Sequence, residues 1–500
     1  MNPETEHETL RAATTSDPLR PSYHFTAPAG WLNDPNGSAQ RDGDFHLFYQ
    51  YNPVAAVHNR IQWGHAVSRD LMRWEDRPIA LRPEHGGPDA DGCWSGVLVD
   101  DCGRPVIIYS GHSNALSTQT ACLAYGDLAL DHWRKEPANP VIAAPPAGYD
   151  VTAFRDHCVW RENDVWRQLI GSGIRDVGGC AFLYESHDLV TWRELGPLVI
   201  GDAGALPEED PAWAGTMWEC VDFFRFRPDG TSASPDAASG DPHVLIFSAW
   251  HEEVTRHPLV ARGRYHDDRF EIEAFQRLDL GGRHAYAPQT FADQSGRRVL
   301  WAWMQEARSI ERQRVAGWSG AMILPRRLWL DAAGVLRQEP VAEAESLRAE
   351  PLSWQEDGTA AVSSGVQTEV SLTVELSPTS AVRFSAFSTG DSGENTCVEL
   401  GRSAEGQLRL VLDRSHSSLD SDLDLSGHEG ELPSAKNPIT MRILLDRSSI
   451  EVFADGIALT SRVYPARGDA TGIRVEAVGE AVVRKLRGWH LAGVEQAERV

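Results

Sequence analysis

The sequence predicts an all-β protein, a five-bladed β-propeller followed by a C-terminal β-sandwich, and three observations carry that prediction. First, the stretches Ser68-Arg69-Asp70-Leu71-Met72-Arg73-Trp74, Gly126-Asp127-Leu128-Ala129-Leu130-Asp131-His132-Trp133 and Ser186-His187-Asp188-Leu189-Val190-Thr191-Trp192 look alike, and their tryptophans are 59 residues apart in both intervals. One aromatic at a fixed period marks a repeated structural unit. Second, residues 45–51, 106–110, 165–170, 244–250 and 299–304 are short runs of β-branched and aromatic residues. Several follow turn residues such as Asp42-Gly43 and Cys102-Gly103, which is how strands read. No long segment of helical period interrupts them, and five units of several short strands close radially as five blades. Third, the texture changes after Leu330. From about residue 355 apolar and polar residues alternate between Gly/Asp/Ser turns, the pattern of two antiparallel sheets packed face to face.

In chain order, residues 1–22 are polar and acidic, without the apolar core of a secretory signal, and are expected as a flexible tail. Residues 23–335 are assigned to the propeller. About ten residues before each apolar run the first strand of a blade begins, and there stand Asp34, Ser95, Asp156, Glu219 and the pair Pro288-Gln289. First strands line the axis of a propeller, so three carboxylates are expected at equivalent positions at one mouth of its channel. The fourth unit is longer, and its insertion at 227–242 is expected as a surface loop. Residues 336–353, rich in Glu and Ala with Pro340 and Pro351, are expected as a linker, and residues 354–497 as the sandwich.

Composition narrows the function. A net charge of −25 disfavours nucleic acid and anionic membranes as partners and suits a small neutral ligand. No run of 18 apolar residues is present to span a bilayer. A homo-oligomer is left open. The seven cysteines, an odd number with no C-x-x-C pair, argue for free thiols in a reducing compartment and hence a cytoplasmic location. The histidines do not cluster at metal-ligand spacing, and no phosphate-binding glycine fingerprint follows a strand. Neither a metal nor another cofactor is expected.

Three converging acids suit the cleavage of an acetal. One carboxyl group protonates the leaving oxygen, an ionised one attacks the anomeric carbon, and a third favours the oxocarbenium-like transition state. Asp34 lies in the turn-forming stretch Trp31-Leu32-Asn33-Asp34-Pro35-Asn36-Gly37, where nearby backbone N–H groups favour an ionised nucleophile. Arg155 is expected to hold Asp156 ionised as a stabiliser. Glu219, between Trp218 and Cys220, is expected to have a raised pKa and to act as acid and base, with strand alternation turning Cys220 away. Taken singly, each acid has a plainer explanation: a turn former, a surface ion pair, an exposed strand residue. Their shared register across blades favours the chemical reading. Asn33, Gln50, Ser95 and Gln289 are candidate partners for sugar hydroxyls. Trp31, Trp63, Trp94, Trp218 and Tyr286 are candidates for stacking on sugar faces, against the alternative of blade core.

The motifs Trp31-Leu32-Asn33-Asp34-Pro35-Asn36-Gly37, Phe48-Tyr49-Gln50-Tyr51-Asn52-Pro53, Trp63-Gly64-His65-Ala66, Trp94-Ser95-Gly96, Phe154-Arg155-Asp156, Trp218-Glu219-Cys220, Tyr286-Ala287-Pro288-Gln289, Trp318-Ser319-Gly320 and Asp446-Arg447-Ser448-Ser449-Ile450-Glu451-Val452-Phe453 together resemble glycoside hydrolase family 32, the β-fructofuranosidases. The resemblance runs from about Tyr23 to Trp489. It implies a five-bladed propeller with a β-sandwich and retaining release of fructose from terminal β-fructofuranosides, with Asp34 as nucleophile, Asp156 as transition-state stabiliser and Glu219 as acid/base. It also implies that Asn33, Gln50, Trp63, Ser95 and Arg155 line the fructose pocket. Two positions depart from the family's pattern. His157 stands where a proline is usual, and His284 where many members carry an acidic rim residue. A related five-bladed pentosidase acting on arabinan or xylan, and a catalytically inactive carbohydrate-binding propeller, are the competing readings.

Overall fold

The computed structural model describes residues 3–494 apart from 117, 357–359 and 435, and only the backbone of 3–9. Residues 495–497 of the expected sandwich lie outside the described residues.

Five antiparallel meander sheets follow one another along the chain. Their first strands are Gly30–Arg41, Gly92–Asp101, Val151–Glu162, Met217–Phe226 and Tyr286–Ala292. Each touches the next, and the fifth returns to the first, so the five sheets form a closed ring of blades. The apolar runs read from the sequence are the second strands: Asp44–Asn52, Arg104–His112, Val165–Ile174, His243–His251 and Arg298–Met304. The ring is latched where Trp318 and Ser319 pair in parallel with Gly30 and Trp31.

The tryptophan repeat has a local physical cause. In each copy a buried leucine, Leu71, Leu130 or Leu189, takes a left-handed backbone with φ near +60°. The indole N–H of the tryptophan three residues later donates to that leucine's carbonyl, at 3.0, 3.0 and 2.8 Å. An aspartate accepts backbone N–H groups of the same turn: Asp70 and Asp188 directly before the leucine, and Asp127 three residues before Leu130. The unit is a side-chain-capped turn that launches or precedes the outer strand of its blade.

A second repeat is visible only in the pairing. All five first strands break register at one level: between Leu32 and Pro35, between Cys93 and Gly96, at Asp156, between Glu219 and Asp222, and between Tyr286 and Gln289. These are β-bulges, which insert residues into one strand and re-aim its side chains. The bulge residue has φ +67° at Asp156, +48° at Cys220 and +50° at Ala287. The register corrects one expectation: the counterpart of Asp156 is Cys220, and Glu219 corresponds to Arg155 and Tyr286. The bulge also interrupts the alternation that was expected to turn Cys220 away.

After the fifth blade, a six-stranded and a seven-stranded antiparallel sheet form the sandwich, with Val370, Leu372, Phe384, Leu400, Leu410, Ile443, Val452 and Val475 in the buried layer between them. Three stretches differ from expectation. The segment read as a flexible tail carries the helix Pro3–Ser16, whose Thr14 is fully buried. The segment read as a linker is ordered throughout: Leu336–Pro340 is the outer strand of the fifth blade, Ala342–Leu347 is a 3₁₀ turn, and Arg348–Pro351 pairs with the sandwich strand Val482–Leu491. Its Glu, Ala and Pro content reads as a break because edge strands draw their stability from pairing partners far away in sequence. The insertion at 227–242 carries the short strand Ser232–Ala233, paired with Arg225 and Phe226 of the fourth blade's first strand, and its Ser234 and Pro235 line a cavity with Asp156 and Cys220.

A fully buried ionic chain joins the two modules. His24 binds Asp446 and Glu451, each at 2.9 Å. Arg326 binds Glu451 at 2.5 Å and Asp279 at 2.8 Å, and Thr460 donates to Asp279. Burial opposes the charge on His24, but the two carboxylates outweigh it and raise its pKa to about 9.

Candidate active site

The bulges bring the three acids to one mouth of the ring. Asp34 Oδ2 accepts from the Ser95 hydroxyl at 2.5 Å, and Asp34 Oδ1 from the Asn33 amide at 3.0 Å. The Cys220 thiol lies 3.5 Å from Asp34 Oδ2 and 3.6 Å from Asp156 Oδ2, and the Cys220 backbone N–H donates to Asp156 Oδ2 at 3.0 Å. Cys220 therefore sits between the two aspartates, the arrangement that alternation alone did not anticipate.

Glu219 is held from two sides. Arg155 donates to Oε1 through Nε at 3.0 Å and Nη2 at 2.6 Å, and the Tyr286 hydroxyl lies 2.7 Å from Oε2. Arg155 was expected to serve Asp156, its neighbour in sequence. The bulge turns the adjacent residue to a different direction, so the guanidinium crosses to the next blade. It also lies 5.4 Å from the ring centroid of Trp250.

Electrostatics follow from this packing. Burial pushes Asp34 up to about 6; Ser95 opposes the shift, the charge of Glu219 adds to it, and Asn33 and Cys220 oppose it. Asp156 is buried and pushed up to about 7. Burial is the largest cause, Arg155 opposes it, and Glu219 and Asp34 add to it. Both aspartates thus depart from the expectation of firmly ionised groups, because burial disfavours their charge and the neighbouring carboxylates add to that. Burial, then Glu219, raises the Tyr286 hydroxyl well above its ordinary value and keeps it a donor.

The other expected residues divide in two. Asn33, Ser95, Arg155 and Tyr286 contact an acid directly. Gln50 is buried beside them with its amide on the Cys93 carbonyl at 3.2 Å. Trp94 is half-buried and stacks on His112 at 4.1 Å between centroids. Trp63 does not line the pocket: it has no exposed surface and donates its indole N–H to the Trp94 carbonyl at 3.1 Å, bracing Trp94 from behind. Trp218 is likewise core, stacked on Phe247. Gln289 reaches across to the Gly96 carbonyl at 2.9 Å. His284 has no exposed surface and faces the sandwich, 3.0 Å from Ser461 Oγ. His157 is buried, pushed down to about 3 by burial, with neither ring nitrogen paired. It lines an axial cavity of about 180 Å³ beneath the acids, together with Ser38, Asp156, Cys220 and Gln289.

Sequence reasoning missed Cys220, His58, His112 and Trp250. His58 bridges Trp31 and Trp94 edge-on, with centroids 5.9 and 5.7 Å away, and lies within electrostatic reach of Glu219. Trp31, His58, Trp94 and His112 form a continuous aromatic arc at the mouth. The arc depends on strands of two blades meeting the loop that carries His58, so no local spacing announces it. Among the described residues no group of three or more His, Cys, Asp or Glu is placed to hold a metal ion.

Two acids bridged by a thiol, and a third gripped by an arginine and a tyrosine, at the mouth of a propeller joined to a sandwich, suit the carboxylate chemistry of a glycosidase. The sequence matches the glycosyl hydrolases family 32 N-terminal domain over residues 24–340 and the family 32 C-terminal domain over residues 336–490, and the chain belongs to that family. It is 32% identical to a cell wall isozyme of beta-fructofuranosidase from Zea mays, covering 91% of this chain and 86% of the relative. It is 33% identical to a sucrose-6-phosphate hydrolase from Zymomonas mobilis, covering 94% and 92%. Among solved structures, a fructan 1-exohydrolase IIa variant from Cichorium intybus, in complex with 1-kestose, superposes with a TM-score of 0.83 at 27% identity, covering 96% of this chain and 98% of that one. A Bombyx mori beta-fructofuranosidase variant in complex with sucrose gives 0.78 at 25% identity, covering 98% of both.

Proposed function

We propose that the chain hydrolyses terminal, non-reducing β-D-fructofuranosides such as sucrose and short fructo-oligosaccharides with retention of configuration. The observation that carries this reading is the division of labour among the acids. Asp34 is braced by Ser95 and Asn33 and serves as nucleophile. Glu219 is held between Arg155 and Tyr286 and serves as acid and then base. As Asp34 attacks the anomeric carbon, Glu219 gives its proton to the departing oxygen, leaving a covalent fructosyl-enzyme. Glu219 then takes a proton from water, which attacks the same carbon and releases Asp34. Asp156, fixed by the Cys220 N–H and by the Ser110 hydroxyl on its own N–H, is positioned to favour positive charge developing on the ring.

The aromatic arc supports a sugar leaving group stacked at the mouth, and the charge of −25 supports a neutral one. Seven free thiols support a cytoplasmic location, in contrast to the cell wall location named for the maize relative. Initial rates on sucrose, sucrose-6-phosphate, 1-kestose, inulin and levan, with the anomer released followed by NMR, test the reading. Fructose released first as the β-anomer is expected. Release from arabinan but from no fructoside supports a pentosidase instead, and binding without turnover supports an inactive module.

A further inference from the structure

The N-terminal helix is linked to the site through the loop that latches the ring. The Thr14 hydroxyl, fully buried, lies 2.8 Å from the Gly317 carbonyl and 2.9 Å from the Leu10 carbonyl. The same Gly317 carbonyl accepts the Gly30 N–H at 2.8 Å. Gly317 ends the helix Ile310–Ala316 with φ +76°, and a Cβ there would meet the Leu10 carbonyl at 2.7 Å. The position is bare both for its own turn and to admit the N-terminal helix.

One residue beyond that helix, Asp17 Oδ2 accepts from the Trp318 indole at 2.8 Å and from Arg308 at 3.1 Å, with the guanidinium 4.3 Å from the Trp318 ring centroid. Trp318 and Ser319 are the residues paired with Gly30 and Trp31. The Trp31 indole donates to Asn33 Oδ1 at 2.8 Å, and the Asn33 amide to Asp34 Oδ1 at 3.0 Å. A continuous set of bonded contacts thus runs from Thr14 and Asp17 to the carboxylate at the centre of the site.

We propose that Thr14 and Asp17 are positioning residues for Asp34, acting through Gly317, Trp318, Trp31 and Asn33. The inference rests on the reading of Asp34 as nucleophile. The loop has a second anchor, Glu306, which binds Arg308 at 2.8 Å and Arg462 of the sandwich at 3.4 Å. Removing the N-terminal anchor therefore leaves the loop attached while freeing Trp318 and the end of the first strand to shift. A displacement on the order of 1 Å at a reacting group, caused from a distance, costs up to about 10²-fold in rate.

The test compares Thr14→Val, Thr14→Ser, Asp17→Ala and a deletion of residues 2–16, with Asp34→Asn as reference, by kcat and KM on sucrose and by thermal unfolding. Thr14→Val, Asp17→Ala and the deletion are expected to lower kcat about 10-fold with KM within about twofold. Thr14→Ser, which keeps the hydroxyl, is expected to retain the wild-type kcat. Wild-type kcat in folded Thr14→Val and Asp17→Ala, while Asp34→Asn is inactive, overturns the positioning role alone. So does a Thr14→Ser variant as impaired as Thr14→Val, since packing of the methyl group then explains both. An active Asp34→Asn overturns the nucleophile assignment itself.

Discussion

Removing the Ser95 hydroxyl takes away one donor that favours the ionised form of Asp34 and changes little else. Ser95 Oγ lies 2.5 Å from Asp34 Oδ2, and Ser95→Ala deletes that donor without adding bulk. A hydrogen bond to a charged group contributes about 1.5–3 kcal/mol, and each pKa unit corresponds to about 1.4 kcal/mol, so the loss raises the Asp34 pKa by about 1–2 units. Burial and the charge of Glu219 already hold it at about 6, which places the variant near 7–8 by the same arithmetic. The nucleophile must be ionised to attack, so the acid limb of kcat/KM moves to higher pH. Asp34 and Asp156 influence each other, and the limb reports the pair. The assay is kcat/KM on sucrose from about pH 4 to about pH 9. At about pH 5 the variant is expected to be about 10–100-fold slower, recovering towards the alkaline side. A loss that is uniform across pH, or a limb shifted to lower pH, refutes the reasoning.

Three further outcomes follow from the same geometry. Asp34→Asn is expected to lose sucrose hydrolysis by at least about 10²-fold while gaining stability at neutral and alkaline pH. The raised carboxylate pKa means that the folded-state penalty is absent below about pH 4 and complete above about pH 6, about 1–3 kcal/mol, so urea unfolding at pH 4 and pH 8 separates variant from wild type only at the higher value. His58→Ala is expected to raise KM about 3–10-fold, the worth of one aromatic contact of about 0.5–1.5 kcal/mol, with kcat nearly unchanged; a fall in kcat at constant KM would instead place His58 in the transition state. For His24, raised to about 9 by Asp446 and Glu451 against burial, the stabilisation is fully present below about pH 6.5 and lost as pH rises through about 9, about 3 kcal/mol in all. His24→Gln is expected to flatten that alkaline decline in urea unfolding, and an unchanged decline would locate its cause elsewhere.

The propeller, the sandwich and the three acids were legible because each leaves a local mark. The aspartate-capped Leu-x-x-Trp turn needs its cap, its left-handed leucine and its indole within one short stretch, and second strands announce themselves by apolar content. The acids were legible because each stands on a first strand, at or beside its bulge. What was not legible depends on pairing between distant segments. Trp63 was taken for pocket wall because tryptophan suits both roles; only the bond to the Trp94 carbonyl puts it behind the pocket. The Leu336–Pro340 strand was hidden by a composition that forms a strand only when the neighbouring strand supplies its bonds. Arg155 was assigned to its neighbour because sequence adjacency was the available proxy for contact, and a bulge is where that proxy fails.

The displaced register also explains why the bulge N–H of the fourth blade, on Cys220, meets a carboxylate. In the third and fifth blades the bulge N–H is satisfied by a serine of the preceding blade: Asp156 N–H by Ser110 Oγ at 2.9 Å, Ala287 N–H by Ser248 Oγ at 3.0 Å. Ser248 faces Glu219 across its strand pair, and the residue facing Arg155, the counterpart of Glu219, is Gly171. The serine position is thus empty of a side chain in the third blade. A Cβ at Gly171 would lie 2.3 Å from the Trp218 carbonyl, so no residue but glycine fits, and the bulge N–H of the fourth blade, on Cys220, is left for Asp156 Oδ2 at 3.0 Å. One glycine redirects a scaffold hydrogen bond onto an acid. The repeat supplies five equivalent bulges, and the departures from it, Gly171 for serine, Cys220 beside Glu219 and Asp156 at a left-handed residue, are what turn one mouth of a symmetric ring into a site with distinct acids.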